Sequence, residues 1–185
     1  MPLAFENLDG DTRRLMLEEI DLDIEQQTLY IAENRLTEKG KADYPGLLRT
    51  SAEGHDDGWL ANQLHAPGMM NSHQDRKNRN GTISRVKVPY NAHETLAEGE
   101  FNKYYVRALC RRAMSDKELR LVVYRAKQVE NPRPESEAKI GTTVNPQVVL
   151  ETLRTNVPWE TTIGLVQPNS GLTVRLVRTV PAAAQ

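Results

Sequence analysis

Residues 91–115, NAHETLAEGEFNKYYVRALCRRAMS, form the longest run of the chain that reads as one element. Leu96, Phe101, Tyr104, Tyr105, Ala108, Leu109 and Ala113 recur mostly at three- and four-residue steps, the period of one helical face. Glu94, Glu98 and Glu100 stand early, and Arg107, Arg111 and Arg112 stand late. That order complements the helix dipole, at roughly 0.3–1 kcal/mol for each well-placed charge. Gly99 costs about 1 kcal/mol relative to alanine inside a helix, and points to a close packing contact or a bend. The spacing predicts an α+β domain: a small sheet packed on this central helix, with short N-terminal helices and extended polar arms.

The 185 residues suggest one domain, organised as an N-terminal helical region (1–65), a polar loop or arm (66–81) and an α+β region (82–185). Hydrophobic residues make up 38% and mean hydropathy is −0.60, so the core is modest and much of the chain is exposed. Aromatic residues are only 5%, against an aromatic platform for nucleic acid. The net charge of −1 supplies no global field to attract nucleic acid or an anionic membrane. No apolar run approaches the roughly 18–20 residues of a membrane span. The start, MPLAFENLDGDTRR, lacks the apolar core of a signal peptide. Cys110 is the sole cysteine, which rules out an internal disulfide and suits a reducing compartment.

Residues 8–20 read as a helix with Asp11 as N-cap and Leu15, Met16 and Ile20 as its apolar stripe. Asp21, Asp23 and Glu25 follow as an acidic patch of hard oxygen ligands, without the glycine of a calcium loop. Residues 28–65 read as short helices. One starts near Thr37 and is interrupted by Pro45 and Gly46; Leu47, Leu48, Trp59, Leu60 and Leu64 supply core. His55, Asp56 and Asp57 precede a helix directly, so capping accounts for them better than catalysis, and His65 reads as a helix-end residue.

Residues 66–81, APGMMNSHQDRKNRNG, are polar and Asn-rich, and read as a long loop. Arg76, Lys77 and Arg79 form a basic cluster there, suited to a phosphate or a protein partner. Residues 82–90 read as a strand ended by Pro89, and residues 118–127 as the best strand. With a helix between them, these two can pair in parallel across a crossover. Residues 129–144 read as extended. Glu130, Glu135 and Glu137 with Lys127 and Lys139 invite comparison with a metal-dependent nuclease, but they lie in a proline-rich stretch and not on an apolar strand. Asn145 and Pro146 open a helix over 145–155 whose buried face is Val149, Leu150 and Leu153. Residues 156–171 read as irregular, anchored by Trp159, and residues 172–178 as a strand able to complete its own sheet or add to a neighbour's edge. Cys110 lies near the apolar stripe, toward the C-terminal end of its helix, where the dipole opposes a thiolate; a packed core cysteine fits better than a nucleophile.

Ala97–Cys110 (AEGEFNKYYVRALC), Val129–Ser136 (VENPRPES) and Pro168–Leu172 (PNSGL) resemble small uncharacterised proteins of tailed-phage and prophage gene sets, over roughly the C-terminal half of the chain. The resemblance carries no catalytic residues. It implies a virion or phage-module role. With a small core, polar extended arms and a last strand able to augment a neighbour, the chain reads as a non-catalytic structural or interaction protein of a tailed-phage virion: a head accessory, head–tail connector or neck component. Its location would be the virion, after synthesis in the host bacterial cytoplasm. Its partners would be other virion proteins or copies of itself, in an oligomer, with nucleic acid the less favoured partner and without a membrane, metal or other cofactor. The contact residues expected are Arg76, Lys77, Arg79, Arg133, Glu135, Asn169, Leu172, Val174 and Leu176. The alternative is a DNA-associated or regulatory protein of a mobile element, using Arg76, Lys77 and Arg79 with an Arg107, Arg111 and Arg112 face. A third reading is a metal-dependent enzyme built on Asp21, Asp23 or Glu137.

Overall fold

A computed structural model describes residues 2–155 and 170–179. The elements, in order, are α1 (Gly10–Glu25), α2 (Glu38–Gly54), α3 (Asp57–Leu64), β1 (His73–Lys77), β2 (Ile83–Lys87), α4 (Ala92–Ser115), β3 (Leu119–Arg125), α5 (Pro134–Glu137), β4 (Thr143–Val144), α6 (Pro146–Arg154) and β5 (Leu172–Arg178). The fold is α+β, with α4 at its centre. α1, α3 and α6 pack on α4, and the sheet of β4, β3 and β5 lies against it. One contiguous core runs from Leu15 to Val174.

α1 forms because Leu15, Met16 and Ile20 share one buried stripe. Its cap is Asp9, not the expected Asp11: the Asp9 carboxylate accepts from Thr12 N–H at 2.9 Å. α2 runs through Pro45, where an interruption is expected. Proline removes one helical hydrogen bond, but Tyr44, Leu48 and Ala52 are wholly buried on the same face, and that burial outweighs the loss. Gly40 lets α2 approach the chain at Met69, since a Cβ there would lie 2.3 Å from the Met69 carbonyl oxygen. α3 is capped by Asp56 and ends at His65, as its sequence suggests. α6 opens on Asn145, which accepts from the N–H groups of Gln147 and Val148, and buries Val149, Leu150 and Leu153.

Three strand expectations need correction. Residues 66–81 are not wholly loop, since His73–Lys77 form β1. β2 does not pair with β3: it pairs antiparallel with β1, and β3 pairs antiparallel with β4 and β5. Ile83 of β2 is 71% exposed, so β2 has no apolar face to bring to the core. β5 does, setting Val174 opposite Val123 and Leu176 opposite Leu121. Residues 129–144 are extended only in part, because α5 and β4 interrupt them. Trp159 lies outside the described residues.

Inside α4, Cys110 is fully buried, and burial pushes its thiol up to about 12. Asn102 ties the helix to β5: its side-chain amide donates to the Leu172 carbonyl at 3.0 Å, and its oxygen accepts from the Thr173 hydroxyl at 2.6 Å. Gly99 has nothing within 4 Å of where a Cβ would stand, so neither a close contact nor an unusual backbone requires it. Gly99→Ala is therefore expected to stabilise the protein by about 1 kcal/mol. Urea unfolding at constant slope checks this; a loss of stability would place a packing constraint at residue 99.

Candidate interaction site

The residues that sequence reading assigns to contacts fall into separate places. Arg76 and Lys77 lie on β1 and Arg79 lies in the turn that follows. Arg133 is the N-cap residue of α5, and Glu135 is exposed in its first turn. Asn169 lies outside the described residues. Leu172 and Val174 are buried in this chain's own core, and Leu176 is half-buried. Their side chains are thus occupied within the protein. Along β5, the Leu176 N–H donates to the Asn7 side chain, and the Leu172 carbonyl accepts from Asn102.

The arginines of α4 are not an outer face either. Arg107 has zero exposure. Its guanidinium donates to Asp23 at 2.6 and 3.1 Å and to Glu19 at 2.9 Å, and the Tyr104 hydroxyl donates to Asp23 at 2.7 Å. Arg154 of α6 reaches Glu19 from the other side. Arg111 pairs with Glu18 and Glu19, and Arg112 with Asp9. This removes the Arg107, Arg111 and Arg112 face from the set available to DNA. It also takes Asp23 from the acidic patch, while Asp21 pairs with Arg49 and Glu137 with Arg125. Among the described residues no group of three or more His, Cys, Asp or Glu is placed to hold a metal, and no helix is long and apolar enough to cross a membrane.

The β1–β2 hairpin remains. Its turn is built by polar side chains: the Asn78 N–H donates to the Thr82 carbonyl at 2.8 Å, Asn80 accepts from the Thr82 N–H, and Gly81 takes a φ of +83°. At its foot Asn71 donates to the carbonyls of Arg35 and Leu36, and Arg35 donates to Gln74 at 3.1 Å. No residue between Met70 and Asn91 belongs to the buried core. The Asn78–Thr82 bond and that from Val88 N–H to the Ser72 carbonyl set the alternation. The even-numbered residues of β1 pair inward. The backbone groups of His73, Asp75 and Lys77 on one edge, and of Ile83, Arg85 and Lys87 on the other, point away from the ribbon. Neither edge meets another strand among the described residues. Between the hairpin and residues 30–35 lies an open groove of about 760 Å³, lined by Tyr30, Glu33, Arg35, Arg76, Val86 and Pro89 among others.

The sequence signals for β1 were weak because its side chains are polar and four of its five residues are exposed, leaving no apolar alternation to find. Arg85 and Lys87 belong to the basic set and were missed for the same reason. Comparison with family models, with curated proteins and with solved structures gives no match.

Two outcomes follow from the buried charges. Arg107→Ala leaves the buried Asp23 without a guanidinium and Glu19 with only Arg111 and Arg154, and is expected to cost about 3–5 kcal/mol, far more than Arg49→Ala at the surface. Burial pushes Glu19 and Asp23 up, but the guanidiniums around them outweigh it, and both carboxyls sit below their ordinary values of 4.5 and 3.8. Their contribution is complete above those values and is lost as pH falls through the lower folded ones. Asp57 is opposite in sign. Burial raises it to about 6, although the Leu3 N–H donates to it, so stability falls as pH rises through about 6. Thermal melts should peak near about pH 5, and Asp57→Asn should flatten the decline between pH 5 and 7. An unchanged decline in that variant assigns it to another group.

Proposed function

We propose that this protein is a non-catalytic structural component of a tailed-phage particle, of the head accessory, head–tail connector or neck class, and that the β1–β2 hairpin is its contact arm. The sequence resemblance supplies the phage setting, and one observation carries the arm: a two-stranded ribbon with both outer edges unpaired among the described residues and no residue in the core. A lone two-stranded hairpin is marginal in water, and open edges are templates for a further strand. Such an element is stabilised by docking on a neighbour. The partners in this reading are other virion proteins or further copies of the chain, and the location is the virion.

The body and the arm have separate roles in this reading. The helices and the β4–β3–β5 sheet form a self-sufficient fold, while the hairpin supplies the specificity of assembly through main-chain pairing. Leu172, Val174 and Leu176 act indirectly by holding β5 on β3.

Excision of residues 73–87, joining Ser72 to Val88, is expected to leave the melting temperature of the body within a few degrees, because no core side chain is removed. Light scattering after size exclusion should show an oligomer for the full chain and a monomer for the excised one. Limited proteolysis of the full chain, diluted until its oligomer dissociates, should cut first within 73–87. A full-length chain that stays monomeric with a protease-resistant hairpin would overturn the assembly role. Absence of the chain from purified particles of a phage encoding it would overturn the virion setting.

A further inference from the structure

Residues 73–87 carry five cations and one acid, a net +4, in a chain whose total is −1; the remainder is therefore −5. Body cations are widely matched: Arg49 with Asp21, Lys103 with Glu100, Lys127 with Glu98, Arg175 with Glu6. By contrast Arg76, Lys77, Arg79, Arg85 and Lys87 have no ion-pair partner among the described residues, even though Asp75 stands opposite Arg85. The pairing register puts Lys77, Arg85 and Lys87 on one exposed face, with Arg79 at the tip and Arg76 on the reverse. Positions two apart on a strand are about 7 Å apart. The result is a row of charge along the ribbon, not a focus at one point.

We propose that the hairpin binds duplex DNA through its phosphates. A spread row of unpaired cations matches a regular polyanion, and a two-stranded ribbon is an element the major groove admits. The hairpin contains no Phe, Trp or Tyr, so it has no platform on which to stack unpaired bases. The contact is therefore to backbone, with duplex preferred and sequence indifferent. The acidic remainder of the chain repels DNA and leaves the arm as the point of approach. This inference goes beyond the assembly role and does not depend on it. Strand pairing occurs in the plane of the ribbon, whereas these side chains stand on its face.

The test is fluorescence anisotropy of a labelled 30-base-pair duplex titrated with the full chain. Binding is expected at 50 mM salt, weakening steeply by 200 mM, with a log–log slope of about −3.6 to −4.5 for four or five phosphates. Equal competition is expected from an unrelated duplex. Lys77→Ser, Arg79→Ser, Arg85→Ser and Lys87→Ser together should weaken binding by at least about tenfold and flatten the slope. Arg14→Ser with Arg49→Ser should change neither. All six positions are exposed or lie outside the core, and circular dichroism with a thermal melt confirms folding of each variant. No binding at 50 mM salt overturns the proposal. So does undiminished binding by the fourfold variant, or a polyglutamate peptide that displaces the duplex at lower charge concentration, which would assign the arm to an acidic protein. Light scattering of the fourfold variant reads the assembly role separately.

Discussion

Arg107 is the group on which the rest of the structure depends. It is a guanidinium with no solvent exposure, held by two carboxylates of α1 and lying 5.0 Å from the centre of the Tyr104 ring, whose hydroxyl donates to one of those carboxylates, Asp23. Glu19 and Asp23 are four residues apart, so both project from one face of α1 toward the same point of α4. Glu19 in turn takes Arg154 of α6. Removing these charges from water is expensive, and the cost is offset only where every partner is in place. A slip of α1 by one residue along α4 would leave charge unmatched in the interior. The network thus sets the register of three helices, where an apolar contact would tolerate several.

That register determines what remains outside. With α1, α3 and α6 seated on α4, and the β3–β5 pair closing the core, residues 71–91 contribute no buried hydrophobic side chain to that core. The chain there pairs with itself. A hairpin of polar residues, tied at its foot by Arg35 and Asn71, stands on a body to whose core it adds no side chain. The division of charge follows the division of structure. Most body cations have carboxylate partners because close packing brings them together, whereas the hairpin cations stand exposed and make no ion pair among the described residues.

The N-terminal segment shows the same coupling between packing and polar satisfaction. Leu3 is buried, and Phe5 lies against Phe101 and Tyr105 at ring separations of 5.2 and 4.5 Å. The N–H groups of Leu3, Glu6 and Asn7 donate to Asp57, Tyr124 and Tyr105. These residues, remote in sequence, clamp one short segment across α3, α4 and β3. None of them is periodic with the others, so no local pattern announces the clamp.

What the sequence by itself determined is what local periodicity and capping encode. These are the central helix with its Leu96–Ala113 stripe, the Asn145–Pro146 start of α6, the Asp56 cap, the alternating β5 and the packed Cys110. Each depends on residues within a turn or two of one another, so a linear reading reaches it. Only the tertiary structure decided the rest. Asp9 over Asp11 as cap follows from the salt bridge that Arg112 makes to Asp9 across about a hundred residues. Continuity through Pro45 follows from the burial of Tyr44, Leu48 and Ala52. The conversion of Arg107 from an apparent surface charge to an interior one follows from the placement of α1. Strand partners, likewise, were chosen by which faces could be buried: β5 had one and β2 did not. A hairpin of exposed polar residues carries no periodic signal, and the two edges it presents among the described residues follow from the other strands having paired around the core without it.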